Sequence, residues 1–585
     1  MKKLLKYMRD YRREAVMGPI FKWLEALFEL LVPLVVAKLI DEGIARQSRA
    51  EVWRLCAVLA VLAAVGLACS LTAQYFAAKT AAGFAAKCRR AMFEHVQRLS
   101  YSGLDRLGGA AIISRLTGDL TQVQSGVNMF LRLFLRSPFV VFGAIIMAFC
   151  VDARASVVFV IAVPLLFLAV ALIMRLTIPK YRQVQSKSDT LFHITGENIT
   201  GVRVIRAFGM EEEECSRFRR ENDMLASLQI SAGRVSSLMN PVTFVIINAA
   251  TIVLIWSGAI RVNMGNLTQG EVIALVNYMS QILVELIKLA NLIITVTKAL
   301  ACAGRISDFL DFSTEEEELL VRETGAVGDP DAAVQFDNVS FTYPGASSPS
   351  IENISFTLRR GETLGIIGPT GSGKTTLVNL IPRFYDVDEG SVFVGGKDVR
   401  SIDPTALRDK IGIAEQRSCI FSGTVRENLS LGRSDSNGGS GVSEEMLDSA
   451  VKTAQAADFI GKREGGLDAP LTRGGRNLSG GQRQRLNIAR ALAKSPELLI
   501  LDDSSSALDY ATDAALRKAL GKLENMSVII ISQRAASVRH ADQILVLDDG
   551  EAVGMGTFEE LLKGCPVFCE ICRSQGIAGG EADEA

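Results

Sequence analysis

Long apolar runs fill the first half of the chain, whereas short apolar segments separated by polar turns fill the second half. Six of the long runs are sufficient to cross a bilayer as helices, which takes about 20 residues each. They cover 16–40, 55–77, 129–151, 156–177, 241–262 and 271–297. Beyond residue 334 the apolar runs have the length of buried strands and alternate with helical periodicity, which favours a mixed sheet flanked by helices.

This pattern predicts two domains with a connecting segment. We expect a polytopic α-helical membrane domain over 1–314, a linker rich in acidic residues and glycine over 315–333, and an α/β domain over 334–575. The last residues, 576–585, have the composition of a disordered tail, and 434–441 that of a flexible surface loop.

The connections between the six runs are strongly unequal in length. Short connections fall at about 41–54, 152–155 and 263–270, whereas 78–128 and 178–240 are long and helical in pattern. The first thirteen residues are basic, which places the N-terminus and both long connections in the cytoplasm by the positive-inside rule. The long connections therefore predict helical extensions of the spans that project ~35 Å from the bilayer and reverse near Gly103–Gly109 and Gly209. A separate cytosolic helical hairpin is the alternative.

Composition narrows the class of protein further. At 585 residues the chain is too long for one core, and 49% hydrophobic residues with a mean hydropathy of +0.25 favour a membrane protein. The net charge of −1 gives no reason to propose nucleic acid as a partner. Cys565, Cys569 and Cys572 cluster without a fourth ligand, so we expect packed thiols rather than a metal site.

A glycine-rich segment between a predicted strand and a predicted helix has the pattern of a phosphate-binding loop. Its residues are Gly368, Pro369, Thr370, Gly371, Ser372, Gly373, Lys374, Thr375 and Thr376. Glycines let backbone N–H groups turn toward phosphates, Lys374 reaches the β- and γ-phosphates, and Thr375 offers a hydroxyl to Mg²⁺. The segment predicts ATP and Mg²⁺ as cofactors.

Further motifs follow this loop in a fixed order along the chain. Gln416 follows a strand, Leu478–Gln482 spells LSGGQ, and the strand Leu498–Leu501 runs into Asp502 and Asp503. Asp502 closes an apolar strand and is suited to hold Mg²⁺ through water. In this order the motifs are very specific, and the chain resembles ABC exporters from about residue 15 to 575.

The resemblance implies roles for individual residues. Tyr343 would stack on adenine, and Gln416 would sense Mg²⁺ and contact the membrane domain. The signature residues act on the nucleotide held by a second chain, which implies a dimer with two composite sites; they are Ser479, Gly480, Gly481 and Gln482. The family also implies short coupling helices at the tips of the long connections, which we place at Ala111–Thr117 and Gly209–Ser216.

Two catalytic positions differ from the family pattern. Asp503 stands where a Glu normally follows the strand's first Asp, and Gln533 stands where a His is usual. A carboxylate must orient the attacking water, and a shift of ~1 Å can cost ~10²-fold in rate. Gln533 can donate a hydrogen bond to phosphate but cannot carry a positive charge. Similar pairs occur in one subunit of heterodimeric ABC exporters, so the resemblance predicts a hydrolytically impaired site here and a second, different half-transporter as partner.

Charges inside the predicted spans give the only clue to a substrate. Glu25 and Glu29 share a face of the first span with Lys22, and Glu285 and Lys288 lie one turn apart in the sixth. Ionisable groups within a bilayer normally face a cavity or a partner. Glu25, Glu29, Glu285 and Lys288 are therefore substrate-cavity candidates, with interhelical ion pairs as the alternative and snorkelling of Lys22 and Arg132 as a further one.

Taken together, the sequence predicts ATP-driven export of a small amphipathic or lipophilic molecule by alternating access. The expected location is the plasma or inner membrane, with the nucleotide-binding domain in the cytoplasm. Two alternatives remain at this point. One is a homodimeric exporter or lipid flippase with slow hydrolysis at both sites; the other is an ATP-gated channel or regulatory membrane protein.

Overall fold

The computed structural model describes residues 3–314, 319, 321, 326–431, 441–504, 506–523 and 526–577. Most of the predicted linker, nearly all of the loop over 434–441 and most of the tail over 576–585 lie outside these ranges. The chain divides into two compact units. The first comprises Met1–Gln97 and Gly109–Phe312, and the second comprises Arg98–Gly108 and Ser313–Ala585.

The first unit is entirely helical. Its helices, together with α3 of the second unit, are α1 Arg12–Lys38, α2 Arg49–Arg98, α3 Tyr101–Leu107, α4 Gly109–Ser114, α5 Leu120–Leu133, α6 Arg136–Val151, α7 Val157–Phe208, α8 Glu211–Ser237, α9 Met239–Asn263 and α10 Gln269–Leu310. A 3₁₀ helix over Leu4–Tyr11 precedes α1, and π-helical turns cover Leu39–Ile44 and Arg115–Asp119.

Local sequence explains where several of these helices begin and end. The Thr268 hydroxyl and the Glu271 carboxylate form a reciprocal capping box at the start of α10. α7 ends at Gly209, whose φ of +62° places it in the left-handed region that glycine adopts at low cost. The chain thus reverses at Gly209, as expected from the sequence.

Close helix packing in the first unit depends on small residues. A Cβ at Gly126 of α5 would lie 2.2 Å from the Ala299 Cβ of α10, so only glycine permits this approach. Ala26, Ala144 and Ala274 are fully buried between α1, α6 and α10. In a bilayer the hydrophobic effect does not drive helices together, so they associate through close van der Waals packing, which small residues permit.

Within the part of the chain that the structure describes, five helical segments are long and apolar enough to cross a membrane: Arg49–Arg98, Gly109–Val151, Val157–Phe208, Glu211–Asn263 and Gln269–Leu310. They cover the second to sixth predicted spans. The first predicted span, 16–40, falls on α1, which is 27 residues long but carries Lys22, Glu25 and Glu29. The six-span count therefore remains a prediction.

Neither predicted coupling segment forms a separate short helix. Ala111–Thr117 covers the end of α4 and the π-helical turn over Arg115–Asp119 that leads into α5. The separate short helix of this region is α3, Tyr101–Leu107, which the Ser100 hydroxyl caps by accepting from the Gly103 N–H at 3.0 Å. At the second tip no separate short helix covers Gly209–Ser216, since the residues from Glu211 onward form the first turns of α8. Which segment couples the domains stays a prediction.

In its described residues, the second unit is an α/β domain with three sheets. A six-stranded sheet has the order β12-β11-β3-β10-β9-β6, a four-stranded antiparallel sheet has the order β2-β1-β4-β5, and β7 pairs with β8. The strands are β1 Ala332–Phe341, β2 Ile351–Arg359, β3 Thr363–Ile367, β4 Glu389–Val394, β5 Lys397–Asp398, β6 Ile411–Ala414, β7 Gly423–Thr424, β8 Pro470–Leu471, β9 Leu498–Asp502, β10 Ser527–Ile531, β11 Gln543–Asp548 and β12 Glu551–Gly556. The helices are α11 Lys374–Leu380, α12 Pro404–Asp409, α13 Val425–Ser430, α14 Glu444–Thr453, α15 Ala457–Gly461, α16 Gly480–Leu492, α17 Tyr510–Leu520, α18 Ala535–Val538, α19 Phe558–Gly564 and α20 Pro566–Ser574.

The parallel strands at the centre of the six-stranded sheet position the candidate site. β10 lies between β3 and β9, and Ile531 pairs with Ile366 on one side and with Asp502 on the other. These strands therefore end together at one edge of the sheet. Ligands of open α/β sheets bind at the carboxyl ends of parallel strands. The loops after β3, β9 and β10 are therefore the expected location of the site.

Candidate nucleotide-binding site

The loop between β3 and α11 requires its glycines for steric reasons. A Cβ at Gly368 would lie 2.0 Å from the Leu547 carbonyl oxygen, and one at Gly373 would lie 2.6 Å from the Ser350 carbonyl oxygen. Gly371 and Gly373 have φ values of +90° and +88°, which side-chain-bearing residues rarely adopt. The loop therefore has the backbone freedom that a phosphate cradle needs, as its sequence predicted.

Lys374 lies buried at the base of this loop. Its Nζ donates to the Gly368 carbonyl oxygen at 2.9 Å, to the Ser372 hydroxyl at 3.2 Å and to the Pro369 carbonyl oxygen. Burial lowers the pKa of Lys374, because the ammonium has lost water, and the nearby Asp502 and Asp503 offset part of that effect. Phosphate oxygens would supply the negative charge that neutral carbonyls lack, so this ammonium fits the phosphates of ATP.

Asp502 and Thr375 form the oxygen pair expected to hold Mg²⁺. The Thr375 hydroxyl donates to Asp502 Oδ2 at 3.0 Å across the cavity edge. Burial raises the pKa of the Asp502 carboxyl, and a cation bound beside it would favour its charged form. A carboxylate and a hydroxyl beside phosphates are the ligands that Mg²⁺ accepts, so the donor set fits this ion.

The two altered catalytic positions lie in the same cavity. Gln416 Nε2 donates to Asp503 Oδ2 at 3.3 Å, and Asp503 has a φ of +43°, in the left-handed region. Burial raises the pKa of Asp503 as well. The Gln533 side chain is exposed at the cavity wall, while its backbone carbonyl accepts from Gln575 Nε2 at 2.7 Å.

Most of the predicted nucleotide ligands line one cavity of about 450 Å³. Those that line it are Thr370, Gly371, Gly373, Lys374, Thr375, Thr376, Gln416, Asp502, Asp503 and Gln533. Sequence reasoning missed other lining residues, among them Ser350, Asp549 and Gly550. Their signal was weak, because Asp549 and Gly550 belong to an ordinary turn between β11 and β12 and reach the site only through the sheet order.

Tyr343 and the LSGGQ residues lie outside this cavity lining. The Tyr343 hydroxyl donates to Thr376 Oγ1 at 3.3 Å, so its ring is held beside the phosphate-loop helix. Ser479 caps α16 in a capping box with Gln482, and Ser479 and Gly480 are exposed. An exposed signature helix outside its own chain's cavity is compatible with action on a second chain's nucleotide.

In the first unit, all four substrate-cavity candidates gather around one residue that the sequence analysis did not single out, Arg136. Arg136 Nη2 lies 2.5 Å from Glu29 Oε2, Nη1 lies 2.5 Å from Glu285 Oε1, and Nε lies 4.0 Å from Glu25 Oε1. Lys288 also contacts Glu285 Oε1, at 2.8 Å. An Arg within the apolar run 129–151 was itself a signal, since intramembrane charges seek partners.

The members of this Arg136 cluster differ in how fully they are paired. Glu285 is 3% exposed in its side chain and also accepts from the Ser137 hydroxyl at 2.9 Å, so both of its oxygens are occupied. Lys22 is buried against Glu25 at 2.5 Å rather than extended to the membrane surface. Glu29 is 39% exposed in its side chain and contacts Arg136 through one oxygen. Interhelical pairing therefore accounts for Glu285, Glu25 pairs mainly with Lys22 of its own helix, and Glu29 pairs with Arg136 while its side chain stays partly exposed.

The fold and the site define an integral membrane protein with a fused P-loop nucleotide-binding domain. Two family models match the chain: the ABC transporter transmembrane region over residues 16–286 and ABC transporter over residues 351–506. An uncharacterised ABC transporter ATP-binding protein of Mycobacterium tuberculosis (strain ATCC 25618 / H37Rv) is 36% identical over 98% of both chains. A similarly described protein of Bacillus subtilis (strain 168) is 35% identical over 100% of both.

The chain therefore belongs to the ABC transporter family, whose ATPase domain binds ATP and couples its hydrolysis to transport. The ATP-dependent lipid A-core flippase of Escherichia coli (strain K12) is 28% identical over 94% of both chains. The solved structure of a bacterial Atm1-family ABC exporter with ATP bound superposes with a TM-score of 0.79. It covers 97% of this chain and 99% of its own at 22% identity, which shows a shared exporter fold.

We expect Lys374→Ala to reduce labelling of this chain by a photoreactive ATP analogue strongly. The substitution removes the buried ammonium that is predicted to face the β- and γ-phosphates. Lys397→Ala, an exposed lysine of the same domain, is the matched control and should label like the parent chain. Equal labelling of the Lys374→Ala variant and the parent would show that the nucleotide binds elsewhere.

We expect Glu29→Gln to change transport or drug-stimulated ATPase activity while the protein stays folded. Arg136 retains Glu285 as a partner in this variant, so no buried charge is left alone. Glu285→Gln is the contrasting variant, because it removes a buried carboxylate with three donors and should lower thermal stability. A selective loss of stability in Glu29→Gln, with transport unchanged, would instead assign Glu29 to packing.

Proposed function

We propose that this chain is a half-transporter that drives export of an amphipathic or lipophilic molecule with ATP, and that its own ATP site is hydrolytically impaired. It binds Mg²⁺–ATP through the phosphate loop, Thr375 and Asp502. It supplies the LSGGQ motif to the catalytic site of a second, different half-transporter. The nucleotide-binding domain lies in the cytoplasm, and the protein resides in the plasma or inner membrane.

The observation that carries this proposal is the pair of altered side chains in the cavity wall. Asp503 and Gln533 both line the cavity beside Lys374, at the positions where the family's water-orienting Glu and its His would act. The shorter Asp503 side chain is also drawn toward Gln416. An aspartate so placed is one methylene short of the family's carboxylate, and positioning errors of this size cost catalysis far more than binding.

The intact parts of the site support retention of nucleotide binding. The loop glycines and the buried Lys374 suit phosphate groups, and the Thr375–Asp502 pair offers oxygens that suit Mg²⁺. The capping box at Ser479 keeps the signature helix formed and its N-terminus exposed. ABC exporters work as dimers in a membrane, so an intact signature paired with an impaired site suits an asymmetric pair.

A homodimer with slow hydrolysis at both sites is the second candidate. The flippase relative makes lipid-like molecules one substrate class to test, since its printed name assigns it lipid A-core. The Glu29 side chain is partly exposed, whereas the neighbouring charges are buried in ion pairs. An exposed carboxylate favours amphipathic substrates that carry a hydrogen-bond donor or a cationic group. Direct transport measurements separate these substrates.

The test is to isolate the tagged chain from its native membranes in mild detergent and to identify what accompanies it. We expect a second, different ABC half-transporter in equal amount, and ATP-dependent uptake of lipophilic dyes by inverted vesicles that hold the pair. A robust ATPase from this chain alone would favour the homodimer. Vesicles without vectorial uptake, despite ATP binding, would favour a channel or regulatory protein.

A further inference from the structure

Five aromatic rings of the second unit form one continuous cluster: Tyr101, Phe341, Tyr343, Phe384 and Tyr385. Tyr385 lies at its centre. Its ring centroid is 5.3 Å from that of Tyr343 in an edge-to-face arrangement, 5.4 Å from Phe341 and 6.3 Å from Tyr101. Tyr101 also stacks on Phe384 with centroids 4.2 Å apart. Such pairs are sensitive to orientation, because the aromatic quadrupole favours edge-to-face and offset geometries.

One side of this cluster belongs to α3. The Tyr385 hydroxyl donates to Asp105 Oδ2 at 2.7 Å, and Tyr101 of the same short helix contacts Phe384 and Tyr385. Burial, followed by the hydrogen bond to Asp105, raises the pKa of Tyr385, so its hydroxyl keeps the proton that it donates at any physiological pH. The 2.7 Å between the two oxygens is the usual distance of an O–H···O hydrogen bond.

The other side of the cluster belongs to the nucleotide site. Tyr343, the residue expected to stack on adenine, donates its hydroxyl to Thr376 Oγ1, and Thr376 lines the cavity together with Lys374. Tyr343 also contacts Phe341 edge-on at 5.0 Å. Only the ring of Tyr385 therefore separates the adenine-stacking side chain from Asp105 of α3.

α3 is a short helix with a defined start and end, so we expect it to move as one body. The Ser100 cap begins it, and Gly108, with a φ of +70°, ends it. The helix has seven residues, so its position depends on contacts made by its side chains rather than on its own stability. The hydrogen bond between Asp105 and Tyr385 is the polar member of those contacts toward the aromatic cluster.

We propose that Tyr385 is a positioning residue that transmits adenine binding at Tyr343 to α3 through its ring and its hydrogen bond to Asp105. The inference rests on the proposed function to the extent that this chain binds ATP with Tyr343 on the base. When adenine stacks on Tyr343, the edge-to-face contact with Tyr385 must readjust. The Tyr385 hydroxyl carries that readjustment to Asp105 and fixes the position of α3.

The test measures hydrogen exchange of the α3 amides in the full-length protein in lipid nanodiscs, with and without saturating Mg²⁺–ATP. In the parent protein we expect ATP to slow exchange over 101–108 by about fivefold or more, the lower end of typical coupling between sites. In Tyr385→Phe, which keeps the ring, we expect the ATP dissociation constant to stay within about twofold and the slowing to be lost, since only the link to Asp105 is removed.

Two further variants and a control sharpen this test. Asp105→Asn should behave like Tyr385→Phe, and the double variant should lose no more than either single one, because both act through one hydrogen bond. Tyr181→Phe, an exposed tyrosine of α7, should retain the full response to ATP.

The inference is overturned if Tyr385→Phe keeps the ATP-dependent slowing, or if the parent shows none while ATP is bound. Additive losses in the double variant would likewise exclude a shared hydrogen bond. A different failure concerns the proposed function itself: if the parent binds no ATP, or if Tyr343→Ala leaves the dissociation constant unchanged, the nucleotide assignment is wrong, and the role of Tyr385 falls with it.

Discussion

Ser479→Arg is expected to abolish most of the ATPase activity of the assembled transporter. Ser479 is the exposed cap of α16, and its hydroxyl accepts from the Gln482 N–H at 3.3 Å. Arginine has no oxygen acceptor for this amide and places a bulky cation where the partner's γ-phosphate would approach. Losing one positioned donor in a transition-state site costs on the order of 10²-fold in rate, and blocked closure of the site would add to that loss.

The same substitution tests which site hydrolyses ATP, when it is compared with Asp503→Asn. If this chain's own site is impaired, Asp503→Asn removes a carboxylate that contributes little and lowers the steady-state rate only modestly. The corresponding Glu substitution in the partner should be severe. Both variants of this chain are measured in the same purified complex at saturating ATP. Equal losses from the two would contradict the asymmetric pair and favour two working sites.

Many residues that line the candidate nucleotide cavity could be predicted from the sequence, because they fall in short contiguous motifs. The phosphate loop, Gln416 and Asp502–Asp503 are each recognised from a few neighbouring residues, whose spacing fixes backbone geometry. What the sequence could not supply was the lateral order of the strands, since the ends of β3, β9 and β10 meet only through parallel pairing across more than a hundred residues. Asp549 and Gly550 were missed for this reason, because they follow β11, which pairs with β3. Ser350 precedes β2 of the four-stranded sheet and reaches the cavity through the way the domain folds.

The position of α3 shows why the glycines of this region did not locate the short helix. The region 100–118 holds several glycines, and the predicted coupling helix was placed after Gly109. The decisive feature is the side chain of Ser100, which captures the Gly103 N–H and starts a helix ten residues earlier. Cap hydrogen bonds are small energies, of about 1 kcal/mol, yet they decide the start of a seven-residue helix.

The membrane unit was predictable in its apolar runs but not in its pairings. An apolar run in a bilayer must form its backbone hydrogen bonds within itself, as a helix does, so hydropathy locates such helices well. Five of the six runs correspond to long apolar helices in the described residues. Which charges meet depends on how helices rotate and pack, and no spacing in the sequence brings Arg136 of α6 to Glu29 of α1 and Glu285 of α10. The sequence therefore left a substrate cavity and interhelical ion pairs as alternatives for these charges, and it did not identify Arg136 as their shared partner.

Arg136→Gln is expected to lower the thermal stability of the full-length protein strongly. The Arg136 side chain is 7% exposed and is the shared counter-ion of Glu29 and Glu285. Its removal leaves the buried Glu285 with Lys288 as its one charged partner among the described residues and with the Ser137 hydroxyl. Breaking a buried ion pair on one side costs about 3–5 kcal/mol. Arg90→Gln, which breaks an exposed pair with Glu94, is the matched control and should cost less than about 1 kcal/mol.

A double variant distinguishes loss of charge balance from loss of packing volume. Adding Glu285→Gln to Arg136→Gln removes the stranded carboxylate, so stability should recover in part, and the pair should show a coupling energy well above the scatter of independent sites. Thermal unfolding in the same detergent, followed by size-exclusion chromatography, measures all four proteins. If the double variant is less stable than Arg136→Gln by the full cost of Glu285→Gln alone, the two residues act independently, and the cluster does not hold α1, α6 and α10 together through charge.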